Sequence, residues 1–224
     1  MKEIANESFN ILKRVIILVA IFLIIIIGCI ICKYTVMQQI QDIDEAVYLF
    51  FKEFMVSEPI TKAMKFVTFF GSEYIFIPII ILILIGLKDK RYGMFMAINL
   101  IWVYVMNFIL KNIFVRPRPI SELVPDITGY SFPSSHVMCA IAFYGMLCVL
   151  VCTTFKDKLI KRAVIILSSL LIFLISLSRL YLQIHYLSDV LMGLVFGGLC
   201  LLIFISIIRA IDNERRNSVE RVVK

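Results

Sequence analysis

The stretch VIILVAIFLIIIIGCIIC, residues 15–32, decides the fold. Its eighteen residues carry no charge, and the hydrocarbon core of a bilayer is crossed by about 20 consecutive apolar residues in a helix. It is too long for the apolar region of a cleaved secretory signal and lacks a small-residue cleavage site before a polar start. The IIGC at Cys29 resembles a lipoprotein processing site only loosely, because apolar residues run on past it. The segment is therefore expected to stay as a first membrane span. Working outward, five further segments have the same character: 66–87, 92–110, 136–155, 163–181 and 187–208. With 61% hydrophobic residues over 224 positions, against about 45–50% in soluble domains, no room is left for a separate soluble domain. The expectation is an all-α integral membrane bundle of six transmembrane helices, one domain over 1–224. Helices satisfy their own backbone groups, which open strands in lipid cannot do.

A net charge of +7 does not point to nucleic acid, because of where the cations fall. If the N-terminus is cytoplasmic, inside segments hold 15 of the 23 Lys and Arg, concentrated in KDKR at 88–91, FKDKLIKR at 155–162 and the polar tail 209–224. An excess of Lys and Arg marks cytoplasmic connections, so both termini are expected inside, with the surplus charge facing anionic headgroups. The six cysteines (Cys29, Cys32, Cys139, Cys148, Cys152, Cys200) lie in or beside apolar segments and read as small hydrophobes.

The outer connections differ in kind. Residues 38–65 place Val47, Phe50, Phe51, Phe54 and Met55 at helical spacing with charges between, ending at Pro59. This reads as an amphipathic helix on the outer membrane surface, or equally as a loop packed on the bundle. Residues 111–135 hold four of the six prolines, which predicts a stiff, shaped loop.

That outer face should be poor in cations, yet Lys111, Arg118 and Arg179 fall at its helix ends, with both histidines, His136 and His185. Ionisable groups at membrane depth are costly and mark function. FPSSH places Ser134, Ser135 and His136 at a helix N-terminus, whose unpaired N–H groups favour anions. His185 and Asp189 are expected to open the sixth helix, where, four apart, they share a face, and Gly193 and Gly197 continue that stripe as small residues that admit a close neighbour. Asn99, Val103, Asn107 and Lys111 form a second stripe. Three cations, a helix N-terminus and two histidines match a phosphate with about two negative charges, and phosphoryl transfer asks mainly for positioning and charge stabilisation.

Three pieces of the sequence, KNIFVRPRP (Lys111 to Pro119), PSSH (Pro133 to His136) and SRLYLQIHYLSD (Ser178 to Asp189), resemble the signature motifs of the type-2 phosphatidic acid phosphatase superfamily. The family includes bacterial phosphatidylglycerophosphate and undecaprenyl pyrophosphate phosphatases. The motif core covers 111–189, and the one departure is Ser135 where the family usually has glycine. The resemblance implies metal-independent hydrolysis of a lipid phosphate or pyrophosphate in the plasma membrane, with the site on the extracytoplasmic face and no cofactor. It implies that His185 attacks phosphorus, that Asp189 orients it and that His136 is the acid and then the base. Lys111, Arg118, Arg179, Ser134 and Ser135 would hold the phosphate. Arg116 has no motif position and is expected to touch the surface or headgroups.

Three other readings are open to the same residues. Two histidines and a carboxylate can hold zinc, but the neighbouring cations would repel a metal ion. A membrane transporter of anions or lipids would bind near the bilayer midplane on broken helices, not at helix ends on one face. A catalytically inactive lipid-binding relative would not be expected to keep both histidines and Asp189.

Overall fold

In the computed structural model the described backbone covers 2–35 and 37–223, with side chains described at 11–31 and 40–212. The side chains of Lys2, Cys32, Lys33 and the tail from 213 onward lie outside the described residues. Among the described residues all regular structure is helical: α1 (Lys2–Thr35), α2 (Met37–Phe50) continued by a π-helical turn (Phe51–Met55), α3 (Glu58–Phe69), α4 (Glu73–Gly86), α5 (Arg91–Phe114), α6 (Ser135–Thr154), α7 (Lys158–Tyr181) and α8 (Leu187–Val223). Six stretches are long and apolar enough to cross a membrane: Ile11–Ile31, Glu58–Gly86, Arg91–Phe114, Ser135–Thr154, Lys158–Tyr181 and Leu187–Asp212. Ile24, Leu82, Ile85, Ile101, Phe108 and Ile166 are all more than 60% exposed, a ring of large apolar side chains that suits lipid and not water.

The second crossing departs from the expectation in two ways. It begins at Glu58, inside the segment read as interfacial, because Pro59 stands in the first turn of α3, where proline starts a helix rather than ending one. It is also broken between α3 and α4. Gly71 N donates to Thr68 O and Ser72 N to Phe69 O, closing a turn there, and Tyr144 Oη donates to Phe70 O at 2.9 Å. A Cβ at Gly71 would stand 2.9 Å from Ile175 Cγ2 and 3.4 Å from His136 Cδ2, so the bare backbone lets the break pass directly beside the site.

The crossing α6 is the most buried and α1 the least. Helix α6 packs against α5, α7 and α8. Its approach to α8 is close because α8 offers glycine there: a Cβ at Gly193 would lie 3.1 Å from Ser134 O, and one at Gly197 only 3.0 Å from Met138 Cα. On α5, Val103 is fully buried, Asn99 Nδ2 donates to Ala142 O at 3.1 Å and Asn107 Nδ2 to Pro133 O at 3.0 Å. This polar stripe ties α5 to α6 and to the loop before it. Helix α1 runs antiparallel to α8, with Phe22 against Phe196 at 5.3 Å between ring centres. The corner before α5 is fastened to α8 by Arg91, which reaches Asp212 at 3.0 Å.

Candidate active site

Two connections carry the polar groups: the irregular segment from Val115 to Ser134 and the short turn 182–186. Unstructured connections of this length are uncommon in a compact domain and mark function. The first leaves α5 through Val115 in the left-handed region (φ 48°), an outlier for a β-branched residue. It is then pinned, since Ser131 N donates to Arg116 O at 2.8 Å and Ser121 Oγ to Leu182 O at 2.6 Å. Leu123, Val124 and Ile127 pack against the buried Tyr181, Leu182 and Ile184. The second turn passes through Gln183 at φ 58°, a strained conformation of the kind that persists where surrounding structure enforces it.

His185 lies in that turn and not on α8, which begins at Leu187; this corrects the expectation that it opens the helix. Asp189 does stand in the first turn of α8. Its Oδ2 accepts from Tyr186 N at 2.9 Å, the reach-back half of a capping box. That bond sets the carboxylate beside the imidazole, with His185 Nδ1 3.5 Å from Asp189 Oδ2. The gap is too long for a made hydrogen bond, and Nδ1 is buried without a partner. Arg118 Nη1 lies 3.2 Å from His185 Nε2. A guanidinium can only donate, so Nε2 holds the lone pair and Nδ1 the proton that faces Asp189. Burial first, then the charges of Arg179, Arg118 and Lys111, push the His185 pKa well below the ordinary 6.5, and the ring is neutral at neutral pH.

The remaining expected residues gather around it. Lys111, in the last turn of α5, donates to the carbonyls of Tyr130 and Ser131. Arg118 also donates to Ile184 O at 2.9 Å. Arg179 is buried near the end of α7, and its Nη1 donates to Thr68 Oγ1 at 2.6 Å. His136, on the first turn of α6, feels the charges of Arg179, His185, Arg118 and Lys111. Ser134 N donates to Asp189 O at 3.1 Å, which locks the start of α6 to α8, while Ser135 is half-buried at the helix N-terminus. Among the described residues, Ser134 Oγ and Arg179 Nε are buried polar atoms without a hydrogen-bond partner, a costly condition that acceptor oxygens of a bound anion would relieve.

Three residues here had escaped the sequence reading. Thr68 sits at the helix break and orients Arg179. Arg116 is not a surface residue: its side chain is 14% exposed and bridges Asp189 at 2.7 Å and Asp44 of α2 at 2.7 Å. A cation in a run of prolines at an outer loop gives no local sign of such a partner, and Asp44 is simply one charge in an amphipathic segment. A cavity of about 630 Å³ between α1, α2, α5 and α8 is lined by Ile25, Cys29, Phe114, Leu191 and Met192 and touches Asp44, Arg116 and Ser188. His136, His185, Lys111, Arg118 and Arg179 are not among the residues that line it.

This geometry has counterparts. A profile of the PAP2 superfamily matches residues 92–212. The chain is 28% identical to an undecaprenyl-diphosphatase of Sulfolobus acidocaldarius over 60% of its own length and 64% of that protein. It is 27% identical to phosphatidylglycerophosphatase B of Bacillus subtilis over 70% of its length and 79% of that protein. The chain thus spans less than two thirds of the Sulfolobus protein. The crystal structure of a transmembrane PAP2-type phosphatidylglycerolphosphate phosphatase from Bacillus subtilis superposes with a TM-score of 0.69 at 25% identity, covering 89% of this chain and 96% of that one. These relatives are lipid phosphatases, hydrolases of phosphate ester or pyrophosphate bonds. By the profile match over more than half its length and by its helical bundle, this multi-pass membrane chain belongs to the PAP2 superfamily.

Proposed function

We propose that the chain hydrolyses the phosphate of a membrane lipid phosphate or pyrophosphate without a metal, through a phosphohistidine. The observation that carries this is the gathering of the half-buried Lys111, Arg118 and His136 around the buried Arg179 and His185, with Ser134 Oγ and Arg179 Nε unpartnered. Three cations suit a phosphoryl group and disfavour a metal ion. Phosphate oxygens take over the donors of Arg118, which frees Nε2 of His185 to attack phosphorus. The P–O bond to the leaving group breaks as the N–P bond forms. His136 gives its proton to the departing oxygen, then takes one from the water that cleaves the N–P bond and restores His185. Asp189 holds Nδ1–H and offsets the positive ring.

The names of the relatives and the position of the site at the bundle end, where a headgroup meets the helices, favour undecaprenyl pyrophosphate or phosphatidylglycerol phosphate as substrate. The Lys and Arg asymmetry favours cytoplasmic termini in the plasma membrane, hence a site on the extracytoplasmic face. The fold is read as a single catalytic domain over 1–224, with the part of 38–65 that precedes the crossing at Glu58 at the outer interface. The test is phosphate release by purified protein from undecaprenyl pyrophosphate, phosphatidylglycerol phosphate, phosphatidic acid and diacylglycerol pyrophosphate, with and without EDTA. Turnover of the first two that EDTA leaves intact is expected; loss of activity to the chelator, or no release from any of the four, overturns the reading.

A further inference from the structure

Asp189 is fully buried, and a buried carboxylate costs several kcal/mol unless it is paired and hydrogen-bonded. One oxygen faces His185 and accepts from Tyr186 N. The other accepts from Arg116 Nη1 at 2.7 Å. Arg116 is itself gripped: Nη1 donates to Ser188 Oγ at 2.6 Å, Nη2 donates to Asp44 Oδ2 at 2.7 Å, and the guanidinium lies 4.4 Å over the Tyr186 ring. Asp44, only 2% exposed, accepts in turn from Ser188 N at 2.9 Å and Ser188 Oγ at 2.6 Å. The anchor thus comes from α2, outside the residues that match the family profile.

We propose that Arg116 and Asp44 are positioning residues for the His185–Asp189 pair. Arg116 keeps the Asp189 carboxylate ionised and pinned by one oxygen, so that the other stays aimed at Nδ1. Asp44 fixes Arg116 in place and offsets part of its charge, so that Asp189 retains enough negative charge to support the ring when it becomes cationic. The planar fork of arginine suits this task, since it holds two carboxylates at once.

The inference rests on the phosphatase reading, and its test separates the two. Groups facing His185 are Lys111 from α5, Arg118 from the loop, His136 from α6, Arg179 from α7 and Asp189 from α8. Behind Asp189 stand Arg116, Asp44 and Tyr186, with Tyr48 and Glu45 of α2 near Tyr186. Removing a positive charge from this set favours proton uptake by the His185–Asp189 pair, and removing a negative charge opposes it. Arg116→Ala and Asp44→Asn are therefore measured for kcat and KM against pH, in detergent, on whichever of those four lipids the unmodified protein hydrolyses fastest. For Arg116→Ala, kcat should fall about 100-fold or more with KM changed less than about threefold, and the acid limb should move to higher pH. For Asp44→Asn, which keeps the shape and one acceptor oxygen but replaces the other with a donor amide, kcat should fall about tenfold and the acid limb should move to lower pH.

Opposite shifts are a sign that general loss of structure does not produce. If Arg116→Ala does not fold, the lower acid limb and reduced kcat of Asp44→Asn carry the test alone. Either variant with kcat within about threefold of the unmodified protein, or both limbs moving the same way, overturns the proposal. Absence of turnover in the unmodified protein overturns the phosphatase reading and this one with it.

Discussion

At the scale of the residue, the proposed chemistry turns on the neutrality of His185. Burial and three neighbouring cations hold its pKa well below 6.5; for a base, a lowered pKa means the lone pair is kept to lower pH. The acid limb of kcat/KM is therefore expected below pH 6.5, and a pH profile with that limb above 7 would contradict the assignment of the attacking nitrogen. On the proposed mechanism, replacing either histidine by alanine removes a bond-making or proton-moving group. His185→Ala and His136→Ala should each lower kcat by about 10³-fold or more, with the protein still extracted from membranes as a folded species; phosphate-release assays on purified variants decide this. Both histidines, the three cations and Asp189 were legible in the sequence because ionisable side chains stand out in an apolar chain. Arg116 was misread, since its meaning depends on Asp44 lying 72 residues away and no spacing rule connects them.

At the scale of the element, two features of the helices hold the site together. The break between α3 and α4 presents Thr68 to Arg179 at 2.6 Å. Thr68→Val keeps the shape and removes the acceptor, leaving one more buried donor of Arg179 without a partner, a loss of about 1–3 kcal/mol. A KM for lipid phosphate raised about tenfold is expected, read from initial rates. The second feature is the α6–α8 contact. A methyl at Gly197 would press on the Met138 backbone at 3.0 Å, whereas one at the adjacent Gly198 meets nothing within 4 Å. Gly197→Ala should lower the melting temperature and activity, with an overpacking penalty of about 1–3 kcal/mol, while Gly198→Ala should match the unmodified protein in a thermal-shift assay. The small-residue stripe was visible at residues 193 and 197, but the helix break was passed over. Gly71-Ser72-Glu73 does mark a turn and a fresh helix start in the apolar run, but that the break passes beside the site follows only from the packing of Ile175 and His136 around Gly71.

At the scale of the molecule, a single chain is folded so that the ends of α5 and α7 meet the starts of α6 and α8 at one end of a six-span bundle. The opposite end holds the Arg91–Asp212 pair and most of the cations on connections. If those cations are cytoplasmic, Glu122, on the loop at the site end and 76% exposed in its side chain, faces outward. Glu122→Cys is then expected to react with a membrane-impermeant maleimide on intact cells well above the background of the native cysteines, and Leu159→Cys, at the other end and 75% exposed, only after lysis. The reverse pattern would invert the orientation.

The amino-acid sequence by itself determined the number of spans and the residues proposed to carry the chemistry. Hydrophobic run length is set by bilayer thickness, and charges in lipid are too costly to be incidental. Only the tertiary structure decided which partners hold those residues in place. The grip of Asp44 on Arg116, the meeting of Thr68 with Arg179 and the turn that takes His185 off its helix all arise from contacts between elements distant in the chain, where packing and burial, and not local periodicity, choose the neighbour.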